Sequence, residues 1–424
     1  MPLEDFRPMM ERCSNCLNCK WIPFDKVRSQ RFSENCPSIC YNNFNTYSAR
    51  GRFQLAQTLL DGKFDYTDTV VDVIHSCTAC GSCDVTCKIC RYNLEPLEHN
   101  LELKARAVQD GHALPQQKPI IDSLKKEKTM IAGRLKADRS GWAKGLDVKD
   151  LFKQKAEIAY FPGCKYSYEE NLQKVSRDFV KLLSKAGVDV GLLGNADACC
   201  AGRANQMGFR EEFEESAKAN IKTFEAAGVK TIVTPCSDCY HTFKRLYAKL
   251  GMKIEVLHAV EYIDRLIKED KIKFTKSVPL TVTYHDPCHL GRLGEPYIPW
   301  DGGEKKVLNQ VHTWEPRRPR YNGAYGIYDA PRDILKSIPG IKLVEMERIR
   351  EYTWCCGAGG GCSETYPDFS AWTAGERITE ANSTGAEALV TACPWCESNF
   401  KNAVDENGKK IKVFDIIELV QQAM

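Results

Sequence analysis

The second half of the chain alternates between two hydrophobic periods. Short apolar runs rich in β-branched residues are IAY before FPGC, TIVT at 231–234, IEVL at 254–257, LTVTY at 280–284, ALVT at 388–391 and IKVF at 411–414. Longer stretches at 169–186 and 209–226 carry helical periodicity, each with a glycine just past its end, where helices most readily stop. Strand-length runs alternating with helical periods predict a parallel α/β architecture. The N-terminal part reads differently. Residues 46–62 (TYSARGRFQLAQTLLDG) have a helical pattern, which predicts a helical domain ahead of the α/β part.

An internal repeat organises the α/β part. GVKTIVTPCSDCYHTFK, from Gly228, aligns with GAEALVTACPWCESNFK, from Gly385, with seven of seventeen positions identical. The register runs on without a gap into KIEVLHAVEYI over KIKVFDIIELV. In each copy an apolar run ends at C-x2-C, followed by a helical stretch, a second run and another helix. The cysteines therefore fall at the carboxyl ends of strands, where open α/β sheets place their ligands.

Composition and charge add mainly exclusions. The chain has 424 residues, 43% hydrophobic, 27% charged and 10% aromatic, which is ordinary for a globular protein and excludes a disordered or collagen-like chain. Fifty-nine basic against 56 acidic residues leave a net charge of +3, which gives no whole-chain argument for nucleic acid or an anionic membrane. The start lacks the basic and apolar regions of a secretory signal, and no run of about 18 apolar residues exists to span a bilayer. Cysteine is the outlier at 21 residues. That number in a large chain without a signal points to metal or redox chemistry in a reducing cytoplasm, not to a disulfide scaffold.

Ten cysteines fall in 13–90, none in 91–163 and eleven in 164–396. Four domains follow: 1–112 helical, 113–155 a basic helical linker, 156–275 the first repeat and 276–424 the second, with an insertion at about 295–330. The linker's KKEK cluster, Lys125 to Lys128, reads as a solvated face. Cys77, Cys80, Cys83 and Cys87 form C-x2-C-x2-C-x3-C, the spacing of an iron–sulfur cubane motif. Cys13, Cys16 and Cys19 repeat its first half, and Cys36, followed by Pro37, is a better fourth member than Cys40. By the crossover rule of two-cluster ferredoxins, one [4Fe-4S] cubane takes Cys13, Cys16, Cys19 and Cys87, and the other Cys77, Cys80, Cys83 and Cys36. Cys90 lies close enough to Cys87 to compete with it. Zinc favours paired C-x2-C knuckles, which two triplets suit poorly.

The remaining cysteines form two matching sets. The first is Cys164, Cys199, Cys200, Cys236 and Cys239; the second is Cys288, Cys355, Cys356, Cys393 and Cys396. Five thiolates exceed a tetrahedral zinc site and a simple cubane alike. Gly357 and Gly359 to Gly361 supply a backbone that can turn tightly and approach a cluster. A nucleotide reading of GAGGG fails, because it lacks both G-x-G-x-x-G and a following Lys-Ser or Lys-Thr.

FPGC at Cys164, HDPCH around Cys288 and CCGAGGG from Cys355 resemble the cysteine-rich CCG domains of heterodisulfide reductase. A two-cluster block ahead of two such repeats is similar to the architecture of that enzyme's D-type component. The resemblance implies a helical two-cluster ferredoxin-like domain followed by two pseudo-twofold-related α/β CCG repeats. It implies that each set of five cysteines can hold a non-cubane [4Fe-4S] cluster, with a substrate disulfide between them that is cleaved reductively. One departure stands out: repeat one has Ala201 where the motif has glycine, so zinc is the alternative occupant there. The chain also resembles an electron-transfer subunit of class II benzoyl-CoA reductase complexes, which would carry electrons without disulfide chemistry. Either way the expected partners are electron-donor or acceptor subunits, a flavoprotein or ferredoxin-like protein, with a small disulfide as the candidate substrate. No nucleic acid is expected, and a membrane partner would be peripheral to a chain with no membrane segment of its own.

His285 and His289 flank Cys288 and are the candidates for protonating a departing thiolate; His241 follows Cys239. Lys165 and Arg203, beside proposed ligands, could offset cluster charge. Trp354 and Trp395 read as shielding. Cys40, Cys90 and Cys362 are left as buried thiols.

Overall fold

The computed structural model describes residues 2–90, 94–308, 311–407 and 411–424. The N-terminal part is helical. Helices Arg7–Arg12, Pro37–Asn42, Ala49–Leu60, Asp68–His75, Ser82–Cys90 and Pro96–Gln109 surround their own small core of Leu3, Phe6, Met10, Phe53, Val73, Ile74 and Leu103. Ser48 and Thr67 cap two of them by accepting from the Gly51 and Val70 amides. His99 is fully buried in this region, edge-on to the rings of Phe6 and Phe53.

Two parallel sheets form the α/β part. The first contains β1 (Lys149–Asp150), β2 (Ile158–Tyr160), β3 (Val190–Leu192), β4 (Thr231–Thr234) and β5 (Glu255–His258), in the order β1-β3-β2-β4-β5. β6 (Leu280–Tyr284) is followed by an antiparallel hairpin, β7 (Gly303–Val307) and β8 (Val311–Glu315), within the inserted segment. β9 (Ile341–Leu343), β10 (Ala388–Thr391) and β11 (Lys412–Asp415) complete the second sheet, ordered β11-β10-β6-β9. The two sheets therefore share one plan, β3-β2-β4-β5 matching β9-β6-β10-β11, and β1 is an added edge. Helices Glu170–Lys185 and Arg210–Ala226 occupy the two stretches of helical period. Central residues Ile232, Val233, Leu389 and Val390 have no exposed surface, as strands covered on both faces require. Each such side chain contributes about 1.5–3 kcal/mol of burial.

The repeats pack reciprocally. Helix Glu170–Lys185, after β2, lies on Ile416–Ala423, after β11; helix Ala259–Lys268, after β5, lies on Asp329–Ser337, after β6. Equivalent elements exchange equivalent contacts, as in an isologous interface.

Residues 113–155 are not a free connector. Ile120, Ile121, Leu124, Met130 and Trp142 join the α/β core, and β1 pairs in parallel with β3. The lysine cluster does face solvent, with Lys126 84% exposed. The apolar residues are spaced along one side of helix Lys118–Glu127, a pattern that a basic composition masks. Among the described residues no helix is long and apolar enough to cross a membrane.

The helical part is seated through glycines. Gly208 (φ +100°) lies under the Lys104 carbonyl, and a Cβ there would stand 2.6 Å from that oxygen. Gly208→Ala is expected to cost about 2 kcal/mol or more, from left-handed strain plus backbone overlap. Gly62→Ala, also left-handed but with open space around it, should cost only about 1 kcal/mol; guanidinium unfolding of the two variants measures the difference. Burial depresses His75 and His99 to about 3 and His258 to about 4. The unfolded chain then binds protons that the folded one does not, so stability holds above pH 6.5 and is lost as pH falls toward those values. Each histidine adds a slope of up to about 1.4 kcal/mol per pH unit, and His99→Gln should flatten the measured profile by that amount.

Candidate metal centres

Cys13, Cys16 and Cys19 lie on a loop turned by left-handed Asn15 and Leu17. Cys87, on helix Ser82–Cys90, faces them: burial, Asp84 and the neighbouring Cys19, Cys13 and Cys16 raise its thiol above the ordinary range. Cys36 begins helix Pro37–Asn42 and is pushed up to about 12 by burial, with Cys80 and Cys77 beside it. Cys83 likewise faces Cys77, Cys80 and Cys36. The structure thus brings together two groups of four, Cys13/16/19/87 and Cys36/77/80/83. Cys83 and Cys87 are one helical turn apart, so a single turn joins the groups. Cys40 instead hydrogen-bonds with Glu34, and Cys362 is buried near the His75 carbonyl. The side chain of Cys90 lies outside the described residues.

Each repeat forms a chain of buried thiols. In repeat one Cys164 meets Cys199, Cys199 meets Cys200, Cys200 and Cys239 have sulfurs 3.4 Å apart, and Cys239 meets Cys236. In repeat two the same sequence runs Cys288, Cys355, Cys356, Cys396, Cys393. Cys356 is held down to about 5 by hydrogen bonds from Cys355 and Cys396. The two chains meet where Cys236 touches Cys393 and the Ser237 hydroxyl donates to the Ala392 carbonyl at 2.7 Å. Cys236 and Cys393 are equivalent residues, so the pseudo-twofold passes between them. The ten thiols of the repeats are all buried soft donors, with His285 close to Cys356 and Cys396, a set that fits iron–sulfur clusters or zinc and suits no hard cation.

The Cys-Cys step needs a left-handed residue. Gly357 supplies it in repeat two (φ +93°), and Ala201 adopts the same region in repeat one (φ +56°). Their amides donate to Cys355 and Cys199 respectively, both at 3.3 Å. The missing glycine of repeat one therefore leaves its thiol loop unchanged. Gly163 is required for another reason: a Cβ would lie 3.1 Å from the Cys239 sulfur.

Surroundings distinguish the repeats. Beside Cys164 stands Arg139, donating to its sulfur at 3.3 Å and paired with Asp197 at 3.1 Å. Beside Cys288 and Cys355 stands Cys80 of the second group of four; it hydrogen-bonds with Cys355, and the three form one buried cluster. Two buried cations fasten this junction. Arg292 donates through Nε to the Cys80 carbonyl at 2.7 Å and through Nη1 to the Glu351 and Thr353 carbonyls at 2.7 and 2.8 Å. Lys104 donates to the Cys77 and Gly360 carbonyls at 2.7 and 3.1 Å.

The histidines separate. His289 lines the narrow seam between the repeats with Asp238, Cys288, Cys356, Cys393 and Cys396. Its Nδ1 is 2.8 Å from Asp238 and 3.3 Å from the Cys288 sulfur, and its Nε2 is 3.2 Å from Gln206. Burial opposes a charge on both partners, yet their mutual attraction wins, raising His289 and holding Asp238 at about 2. His285 receives Arg377 Nε at 3.1 Å, and burial, Arg377 and Arg292 keep it far below the usual histidine range. His285 is therefore neutral and fixed, whereas His289 can carry a proton at the seam. His241 stacks edge-on against His289, rings 5.1 Å apart.

Lys165 and Arg203 both lie over the Trp395 ring and pair with Glu169 and Glu364. Trp354 is buried, its indole donating to the Thr373 carbonyl at 2.9 Å. Arg139, Lys104, Asp238 and Arg292 were not anticipated from the sequence. Asp238, inside CSDC, and Arg292, four residues after Cys288, could have been singled out by position; Arg139 and Lys104 look like ordinary surface charges until the chain folds.

The family model of the cysteine-rich CCG domain matches residues 158–244 and 318–401. The second match starts after Cys288, inside the insertion. The chain is 32% identical to the D subunit of the dihydromethanophenazine:CoB–CoM heterodisulfide reductase of Methanosarcina mazei, over 98% of this chain and 94% of that one. It is 28% identical to a probable iron-sulfur-binding oxidoreductase, FadF, of Bacillus subtilis, covering 95% of this chain and 53% of that one. It is also 27% identical to the EtfAB:quinone oxidoreductase of Syntrophomonas wolfei, over 83% of this chain and 47% of that one. With both cysteine-rich repeats, the group-of-four motifs and this likeness over nearly its whole length, the chain belongs to the heterodisulfide reductase D-subunit family of iron–sulfur oxidoreductases.

Proposed function

We propose that this chain is an electron-transfer subunit that carries electrons from two ferredoxin-type centres in its helical domain into the second cysteine-rich repeat, and there reduces a disulfide. Cys13, Cys16, Cys19 and Cys87 would hold the outer centre; Cys36, Cys77, Cys80 and Cys83 the inner one. The two sets of five cysteines would hold the centres of the repeats. Bound iron–sulfur clusters supply one-electron steps at a set potential. The observation that carries the reading is Cys80, a member of the inner group, packed against Cys288 and Cys355 of repeat two. Repeat one has Arg139 in that place, so electrons have one point of entry.

The protein's own groups serve this chemistry in distinct ways. Arg292 and Lys104 hold the two ligand-bearing loops together and place positive charge where reduction adds negative charge. Burial of the thiols keeps water from the junction. His289, oriented by Asp238, offers a proton in the seam beside Cys288, where a reduced disulfide needs two. A CoB–CoM heterodisulfide, the substrate named for the Methanosarcina relative, is the natural first compound to assay. The partners would be subunits that deliver electrons to the outer centre.

Anaerobically purified protein is expected to hold about 16 iron and 16 sulfide with no zinc, four of each at four sites; about 12 iron with one zinc would make repeat one structural and remove the paired-cluster chemistry. Cys87→Ser should lose up to about four iron, or convert one centre to a three-iron form, while Cys40→Ser keeps the full content. Viologen-coupled disulfide reduction should be lost in Cys356→Ser and fall at least about tenfold in His289→Gln. Full activity in His289→Gln would sink its role as the proton source.

A further inference from the structure

A cavity of about 330 Å3 lies where the helical domain, repeat one and the inserted segment meet, away from the seam between the repeats. That volume is in the range of small-molecule sites. Its apolar lining includes Phe6, Val85, Leu97 and Phe213. Two arginines line its wall, and one of them, Arg245, offers it an unpaired guanidinium. Arg245 is only 7% exposed and lies flat on the Tyr321 ring, 3.8 Å from its centroid, with no hydrogen-bond or ion-pair partner among the described residues. Arg292 is 2% exposed, and its Nη2 is buried without a partner although Nε and Nη1 are fully engaged.

The other charges in the wall are already matched. Lys249 pairs with Glu98 at 3.3 Å, Arg210 with Glu102, and Asp84 with Lys88 at 3.0 Å. Glu98 is also drawn down to about 2, against its burial, by Lys249 and Arg245, so it is ionised and committed. Arg245 remains as the unpaired cation of the lining. A buried guanidinium with unsatisfied donors is costly unless an acceptor completes it.

From this we infer a binding site for a small amphiphilic anion, its charged head on Arg245 and its apolar body against Phe6, Val85, Leu97 and Phe213. The site goes beyond the electron-transfer reading and does not depend on it. Arg292, which ties the Cys80 carbonyl to the Thr353 carbonyl, lines the same cavity, so occupancy would be felt at that junction.

Calorimetric titration of the anaerobically purified, cluster-loaded protein with octanoate, and with octylamine as the matched cation, tests it. Saturable binding of one octanoate per chain, without binding of octylamine, is the expected result. Arg245→Gln should weaken octanoate at least tenfold, Arg245→Lys should restore part of that loss, and Leu246→Trp, which fills the cavity but keeps both arginines, should abolish binding. Absence of saturable octanoate binding would overturn the site. Equal binding of the two amphiphiles, or unchanged octanoate affinity in both Arg245→Gln and Leu246→Trp, would overturn it as well.

Discussion

The structure depends on one backbone-to-backbone approach. The glycine loop of repeat two lies directly against the Cys77–Thr78 peptide: a Cβ on Gly360 would stand 2.1 Å from the Cys77 carbonyl oxygen, and one on Gly359 would stand 2.3 Å from that of Thr78. Only glycine permits this, and Gly360 also needs its left-handed φ of +65°. The approach brings Cys80 to Cys288 and Cys355. It also buries carbonyl groups that would otherwise lack partners, and Lys104 and Arg292 satisfy them. Removing either cation would leave the stacked carbonyls unpaired in a dry interior, a cost of about 1–3 kcal/mol per group.

Around this contact the repeats diverge in chemistry while keeping one plan. The strand order, the helix exchange and the five-thiol chain are duplicated, down to the amide–sulfur bonds of Ala201 and Gly357. What is not duplicated is the neighbour of the first cysteine. Repeat one presents an arginine clamped by Asp197; repeat two presents a thiol of another centre. A symmetric pair has thereby become asymmetric, with repeat two facing a cysteine of the helical domain. Beneath repeat two, Arg348, Arg377 and Glu380 form a fully buried ionic group that fixes His285 and, through Thr353, the approach to Cys355. Its geometry, several donors on one carboxylate, is of the kind that makes a buried charge tolerable.

Much of the fold was legible because it rests on local periodicity. TIVT and ALVT are β4 and β10, the stretches at 169–186 and 209–226 are helices, and the repeat alignment anticipates the common strand order. The triplet spacing suggests partners for each triplet, and the structure brings Cys87 near the N-terminal triplet and Cys36 near the second. Residues 113–155 were misjudged as a connector, since β1 is two residues long and its pairing with β3 leaves no periodic trace. The histidines looked alike in HDPCH, yet one faces an arginine and the other an aspartate.

The sequence by itself determined how the cysteines divide into four groups and which strands lead to those of the repeats, because these depend on residue type and spacing along the chain. The tertiary structure alone decided which groups touch, which histidine pairs with an aspartate at the seam and where a cation goes unmatched. Those outcomes depend on residues far apart in the chain, 256 positions for Lys104 and Gly360, and on the loss of water between them, neither of which is written in any local pattern.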